Sequence, residues 1–565
     1  MKTADRRTVG QSDRACRWAY LLPAVALAFQ SVSPTVRLSA QLSPHDSALH
    51  VLNRLAYGPR PGEVDRVAAD GVMRWIDRQL SPGKLDDGPL AARERRFKIL
   101  DYDAGELARI YLDAQREQRE QKRQQAEPMD PTQARGRRLA GEFQELAVMR
   151  AVLSERQLYE VMVDFWGNHF NVFFAKGADR FLTPSYIEQT IRPRALGKFP
   201  DLLIATAQSP AMLFYLDNWE SVAPGSTPPQ PMRLRARPLF GPRPMFGRPP
   251  SFDAGHDPLR ADSLRRQALA RSPKGINENY ARELLELHTL GVDGGYTQQD
   301  VIDVARIFTG WSVRRPQQGG DFEFHDWAHD YGEKVVLGVT FPPGHGRDEG
   351  VRLLQLLAHH PATMHHVSRR LCQRVVNDDP PDGCVDDAVT AWKQSDGDIR
   401  AVLRAIFRSP DFWAPENVRA KIKTPLEFVV SAARAVGGEP DTTPRLAQVV
   451  ARLGEPLYLH VAPDGYPERE DAWVNSGALL DRMNAAVALA AGRLPGVTVS
   501  LDSIVPAAQD AERLIAQANA AVLGGTMSEH TKAVIRRQLS DASDPAQARA
   551  LAVGLAIGGP EFQRQ

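Results

Sequence analysis

Apolar residues recur at three- and four-residue spacing in one segment after another of this chain, and that period commits most of it to helices that pack by one face. The pattern begins at residues 47–80, where HVLNRLAYGPRPGEVDRVAADGVMRWIDRQL reads as two short amphipathic helices separated by a Gly-Pro turn. It continues through residues 139–165, 184–208, 277–291 and 298–309, then 350–357, 363–376, 384–394, 399–408, 426–436 and 478–491, while residues 107–123 read as a long helix whose far end, almost wholly Gln, Glu, Arg and Lys, has no apolar stripe and is solvated. One stretch departs from it. DFEFHDWAHDYGEKVVLGVTF alternates aromatic and polar residues and holds β-branched runs, so a small hairpin is expected there. The fold class is therefore mainly α: a large multi-helix globular body with a small β-hairpin and a long Pro/Arg-rich loop insertion.

That insertion spans residues 220–262, where PMRLRARPLFGPRPMFGRPPSF has no period at all. Its proline content forbids regular structure, and a tolerated insertion is preferred over a binding flap. The expected organisation is an export signal and disordered arm over 1–40, an N-terminal helical part over 41–219, the flexible insertion over 220–262, and a C-terminal helical part over 263–565. The two helical parts are expected to pack as one body. At 565 residues and 43% hydrophobic composition the chain can bury a substantial core.

Charge excludes some functions. The 70 basic and 69 acidic side chains leave a formal net charge of +1, so nothing draws the whole molecule to nucleic acid or anionic lipid. The N-terminus is distinctive: Lys2, Arg6, Arg7, Arg14 and Arg17 precede the apolar run WAYLLPAVALAF. The run is shorter than the roughly 20 residues a membrane span needs, and Pro23 lies inside it, so it reads as a cleaved export signal. The expected localisation is periplasmic or extracellular, with no transmembrane span after cleavage. Removal of the signal would take Cys16 with it. Cys372 and Cys384 would remain as an even pair in an oxidising compartment, and a bridge between them would stabilise by about 3 kcal/mol.

The segment NENYARELLELHTLG, from Asn277 to Gly291, holds the densest carboxylate pattern on a helix. On an α-helical wheel Glu278, Arg282 and Glu286 form one ridge at i, i+4, i+8, with Glu283 beside them. Asn277 is a natural N-cap. His288 falls about 160 degrees from Glu286 on the same wheel, among Tyr280, Ala281, Leu284 and Leu287, so the pair cannot chelate within the helix. Glu278 and Arg282 are thus structural. His288 needs a partner from another helix, and the best candidate is DFWGNHFNVFF, where Asn168 and His169 sit among aromatic residues and must find hydrogen bonds if buried. For Asn168 and His169 the structural role is preferred. TQQD, Thr297 to Asp300, reads as a capping box with Asp in place of Glu. His325, Asp326, His329 and Asp330 are the densest His/Asp cluster, of a chemistry that suits zinc, iron or manganese, although solvated loop residues are the preferred account. No glycine fingerprint after a strand, phosphate loop, GxSxG elbow or CxxC pair is present.

The run from FWGNHFNVF through SPAMLFYLDN, NENYARELLELHTLGVDGGYTQQDVIDVARIFTGW, HDYGEKVVLG, HHPATMHHVSRRLCQRVVNDDPP, DGDIRAVLRAIFRSPDF and KIKTPLEFVVSAARA resembles the bacterial family catalogued as domain of unknown function 1800. The resemblance covers the chain from about His50 to the closing GGPEFQRQ. It implies an exported, largely helical protein with no settled activity, often encoded beside a second exported family that resembles alkaline phosphatases and sulfatases. Among the family positions are Asn168, His169, Glu278, Arg282, Glu283, Glu286, His288, His329, Asp330, Lys334, Lys423 and Glu427. Many relatives carry a histidine where this chain has Gly167, so a metal site that needs that histidine cannot be general.

Two functional classes follow. The first is an exported metal-dependent hydrolase in which His169, Glu283, Glu286, His288, His329 and Asp330 converge in a cleft. Its catalytic candidates are His169, Glu283, His288, His329 and Asp330. Its metal candidates are His169, Glu286 and His288, with a divalent metal as the cofactor. The second is a non-catalytic partner or accessory factor for the phosphatase/sulfatase-like exported protein. The sequence leans to the second, because no catalytic signature is legible.

Overall fold

The computed structural model describes residues 42–124, 131–227, 275–314, 320–506, 508, 510–540, 542 and 544–565. The export signal expected over 1–40 lies outside the described residues, and most of the 220–262 insertion does as well. All the described residues belong to one compact unit.

Helix dominates, and the starts of the helices follow from local chemistry. Asn277 caps Glu278–Glu283 by accepting from the Asn279 N–H at 2.8 Å. Thr297 and Asp300 form a reciprocal capping box at the head of Gln298–Ile307, as Thr424 and Glu427 do at the head of Pro425–Ala435. Ile399–Arg408 buries Ile399, Val402, Leu403, Ile406 and Phe407 on one face, the i, i+3, i+4, i+7, i+8 set that drives an amphipathic helix onto a core.

Several expected helices are subdivided. The continuous helix expected over 139–165 is two, Pro131–Leu153 and Gln157–His169. They break where the Gln157 amide turns back to donate to the Ala151 and Ser154 carbonyls and accepts the Tyr57 N–H. The helix expected over 184–208 is Asp179–Ser185, a π-helical turn Tyr186–Ile191, a 3₁₀ turn Arg192–Arg194 and a separate helix Phe199–Ala207. Among the described residues, seven α-helices had no reading in the sequence: Gly88–Glu94, Pro210–Tyr215, Arg445–Arg452, Ala511–Leu523, Glu529–Leu539, Pro545–Gly558 and Pro560–Gln563.

Strands are few. The expected hairpin is present as Lys334–Val336 paired antiparallel with Val339–Phe341. Its two-residue turn, Leu337 and Gly338, has positive φ at both positions (52° and 76°), as a type I′ connection requires. The Asp300 carboxylate accepts the Leu337 N–H at 2.7 Å and ties this turn to the neighbouring helix. Trp311–Val313 pairs with Phe322–Phe324, and Glu439–Pro440 with Val497–Thr498.

Two hydrophobic cores divide the unit. One gathers residues from Ala48 to Trp413, and the other gathers residues from Leu426 to Phe562 together with Tyr57, Val148, Ala151, Val152 and Val161. The first contains a chain of rings in which Trp166, Phe199 and Trp392 follow one another at centroid distances of 5.8 and 4.9 Å. The Pro131–Leu153 helix serves both cores: Leu146 and Met149 enter the first, while Val148, Ala151 and Val152 enter the second. A disulfide between Cys372 and Cys384 joins Pro361–Val375 to Asp382–Ser395 inside the first core. Among the described residues no helix is long and apolar enough to cross a membrane.

Candidate active site

The seam between the two cores holds a cavity of about 70 Å³ with access to solvent, lined by charged side chains from both sides. One helix supplies much of its wall. Glu160, Asp164, Gly167, Asn168 and Asn171 line the cavity from Gln157–His169 and the residues after it, at i, i+4, i+7, i+8 and i+11, which is a single stripe of an α-helix. The opposite wall comes from residues 424–468, including Glu455, Tyr458, Tyr466 and Glu468.

That second wall is strapped to the first through its backbone. The Asn168 carboxamide accepts the Tyr466 N–H at 2.6 Å and donates to the Tyr466 carbonyl at 2.8 Å. Asn171 donates to the carbonyls of His460 (3.1 Å) and Ala462 (2.7 Å), and the Phe174 N–H donates to the Tyr458 carbonyl at 2.9 Å. Gly465, at φ 73°, lies so close to Asn168 that a Cβ would meet the Asn168 carbonyl oxygen at 2.4 Å, so only glycine allows the clamp to close. Asn168 is the side chain that makes this clamp.

Three arginines carry the electrostatics. Arg192 grips Glu160 with two hydrogen bonds of 2.8 Å. Arg150 reaches Glu188 at 2.5 Å and, on its other side, Glu94 at 2.5 Å. Arg374 is shared by Asp164 (3.2 Å), Glu427 (3.1 Å) and Glu468 (3.2 Å). Behind it, Lys421 pairs with Asp378 and donates to the Glu468 carbonyl at 2.9 Å.

These pairings set the carboxyl groups apart. Burial would raise Glu160, but the charge and hydrogen bonds of Arg192 overcome it and hold that carboxylate below its usual range. At Asp164 burial wins over Arg374, with Glu468 and Glu427 adding to it, and the carboxyl is raised to about 6. About a third of the Asp164 side chain faces solvent. Glu455 is 6% exposed, and burial together with the charge of Asp164 raises it to about 8, against hydrogen bonds from the Leu426 N–H (2.8 Å) and Thr424. Near neutral pH the cavity therefore holds one carboxyl that is mostly ionised beside another that keeps its proton.

The expected site residues lie elsewhere, in three places. His169 and His288 do come together: their rings are 6.3 Å apart, and His169 Nε2 lies 3.3 Å from the His288 carbonyl. His366, which the sequence had not marked, joins them at 6.4 Å from His169. Burial in this aromatic surround, with Arg370 and the neighbouring imidazoles adding to it, pushes His169 far below its ordinary value. Burial, then His366, lowers His288 to about 3, and its Nε2 is buried without a hydrogen-bond partner among the described residues.

Leu284–Thr289 is a π-helical turn, in which the Thr289 hydroxyl donates to the Leu284 carbonyl at 2.6 Å, and Glu286 and His288 lie on different faces of it, the first half-buried and the second buried. Arg282 lies 3.6 Å from Glu278, and Gln298 links them by donating to Glu278 and accepting from Arg282. Glu286 does not extend that ridge; it faces the Tyr296 hydroxyl at 3.5 Å. Glu283 is half-buried and raised by burial, then by Glu286.

His329 and Asp330 form the third place, and here the solvated-loop reading is overturned. His329 is 4% exposed, with Nδ1 2.9 Å from the Thr309 carbonyl and Nε2 3.0 Å from the His345 carbonyl. Asp330 receives Arg306 Nε at 2.8 Å and the Gly332 N–H at 2.8 Å. The buried Lys334 ammonium is 2.7 Å from Glu349 and donates to the Asp330 carbonyl, which closes a structural network. His325 and Asp326 keep the solvent side, with His325 3.3 Å from Glu323. The six residues expected to converge in one cleft are thus divided. Among the described residues no group of three or more His, Cys, Asp or Glu side chains is arranged to hold a metal ion, the set His169, Glu286 and His288 included.

The stripe at Glu160, Asp164, Asn168 and Asn171 was visible as polar residues on an otherwise apolar helix. Glu455 and Arg374 had no local signature.

Fold and cavity together define a mainly helical protein of two cores with a charged pocket at their seam. The chain belongs to the family described as Protein of unknown function (DUF1800), whose model matches residues 50–564. No curated protein and no solved structure matches it.

Proposed function

We propose that this is an exported protein that carries out acid–base hydrolysis of a polar substrate in the seam cavity. The observation that supports this most directly is that Asp164 and Glu455 line the same solvent-reached space while their surroundings set their protonation apart. Near neutral pH the Asp164 carboxylate is the base: it takes a proton from water as the water oxygen bonds to the electrophilic centre. Glu455 is the acid and gives its proton to the leaving group as the old bond breaks. One water is consumed, Asp164 gains the proton that Glu455 loses, and exchange with solvent resets the pair. Arg374, shared among three carboxylates, keeps Asp164 from rising further.

The test is turnover of chromogenic esters, glycosides and phosphate esters by protein purified from the periplasm. One class should be hydrolysed, with a bell-shaped pH profile whose limbs fall at about 6 and about 8. Asp164→Asn should remove the acid limb and Glu455→Gln the alkaline one. Turnover that survives in the double variant would overturn the proposal.

Export is supported by the disulfide Cys372–Cys384, which an oxidising compartment would form and keep, and by the N-terminal signal read from the sequence.

A second reading, a partner for a phosphatase/sulfatase-like exported protein, has its own support. Val474 (41% exposed), Leu479 (37%) and Leu480 (61%) stand exposed at the start of Ser476–Ala490. Co-purification that Leu480→Glu abolishes would favour it; failure to co-purify in mild salt would sink it.

A further inference from the structure

The seam cavity is short of positive charge. Its lining sets Arg150, Arg192 and Arg374 against the carboxylates of Glu160, Asp164, Glu188 and Glu468, three cations facing four anions, with Glu455 beside them keeping its proton near neutral pH. None of the three arginines is spare. Arg192 is committed to Glu160 by two hydrogen bonds, Arg150 to Glu188 and to Glu94 outside the cavity, and Arg374 to Asp164, Glu468 and Glu427 behind the wall. Glu455 lines the cavity at 6% exposure and, among the described residues, has hydrogen bonds from the Leu426 N–H (2.8 Å) and Thr424 rather than an ion pair as its partners.

Resting on the acid–base reading of this cavity, we propose that it receives a small cation of the ammonium class, carried by the substrate next to the bond that is broken. Three observations converge. The charge balance of the lining calls for a cation and repels an anion, since every arginine is already neutralised. The volume of about 70 Å³ accommodates an alkylammonium head group. Tyr57, Phe143, Tyr458 and Tyr466 supply aromatic surface, which attracts cations to its faces and tolerates their alkyl stems. A cation placed there stabilises the ionised forms of Asp164 and Glu455 together, so its binding releases protons and makes Glu455 a stronger acid.

The test is a ¹³C-carboxyl NMR titration of the full chain, with Asp164 and Glu455 assigned through Asp164→Asn and Glu455→Gln. Glu455→Asp serves for the second assignment where Glu455→Gln does not fold. The probe is n-propylammonium chloride at tens of millimolar, against equal sodium chloride and equal sodium propionate. Propylammonium should lower both midpoints by about 1 pH unit relative to sodium chloride, a tenfold change in proton affinity. Midpoints that stay near 6 and 8 and do not differ between propylammonium and sodium chloride would overturn the cation inference and leave the acid–base reading standing. An upward shift in propionate would overturn it as well. Midpoints in the ordinary carboxylate range without any probe would overturn both.

Discussion

Asn168 holds both backbone polar groups of Tyr466, accepting from its N–H at 2.6 Å and donating to its carbonyl at 2.8 Å across 298 residues of sequence. This clamp fixes the 456–468 strap as a wall of the cavity. Asn168→Ala should cost about 1–3 kcal/mol, because two backbone groups lose their partner at once. Amide hydrogen exchange should rise across residues 456–468 and stay unchanged in Ile399–Arg408. Asn168→Asp, which keeps the acceptor and loses the donor, should fall between the two. Equal protection of the strap in wild type and Asn168→Ala would refute the role.

Glu455 makes the fold less stable as pH rises. Its folded value of about 8 lies above the ordinary carboxyl value of 4.5, so between those two the folded chain holds a proton that the unfolded chain has released. Stability is therefore lost as pH climbs through that window. Glu455→Gln keeps an acceptor for the Leu426 N–H and cannot ionise. Its advantage over wild type should grow from near zero at about pH 4 to as much as about 5 kcal/mol at about pH 9, read from urea unfolding at each pH.

The buried imidazoles act in the opposite direction. His288 is lowered to about 3 from 6.5, so below the upper value the unfolded chain takes up a proton that the folded chain refuses. Stability falls as pH drops from 6.5 toward 3, by about 1.4 kcal/mol per pH unit for this group. In His288→Leu the acid decline should be shallower by that slope. An unchanged slope would show that His288 is protonated in the folded state.

Arg374 neutralises Asp164, Glu427 and Glu468 from one buried position. Arg374→Met should cost about 3–5 kcal/mol near neutral pH, since removing one partner leaves buried charges uncompensated. The loss should shrink on acidification as those carboxylates take up protons. Chemical denaturation at two pH values decides it.

The disulfide closes a short loop, 12 residues in sequence separation. Cys372→Ala with Cys384→Ala should lower stability by about 3 kcal/mol. Labelling of unreduced wild-type protein should find neither Cys372 nor Cys384 reactive.

What the sequence made legible was what depends on near neighbours. Asn277, and the Thr297–Asp300 box, cap their helices because a cap needs only a side chain and an N–H two or three residues on. The hairpin at 334–341 followed from β-branched residues around Leu337-Gly338. The meeting of His169 and His288 could be anticipated because an aromatic-ringed polar pair and a histidine on an apolar arc both need a partner. The cavity could not, since its charges come from residues 150–192, 374 and 424–468, and no local pattern reports that Arg374 will face Asp164. The π turn at Leu284–Thr289 was not legible, because the wheel assumes α geometry throughout, yet Glu286 and His288 still lie on different faces, the first half-buried and the second buried.

Each π turn carries one residue more than the α-helix it interrupts. In Tyr186–Ile191 that extra residue sets the rotation at which Glu188 meets Arg150 and Arg192 meets Glu160. Loss of one residue there would let the turn close to α geometry with its flanks kept in register, so the change would fall inside the turn, on Glu188 and its neighbours. Chain length across six positions is thus as much a part of the charged seam as the identity of the residues that line it.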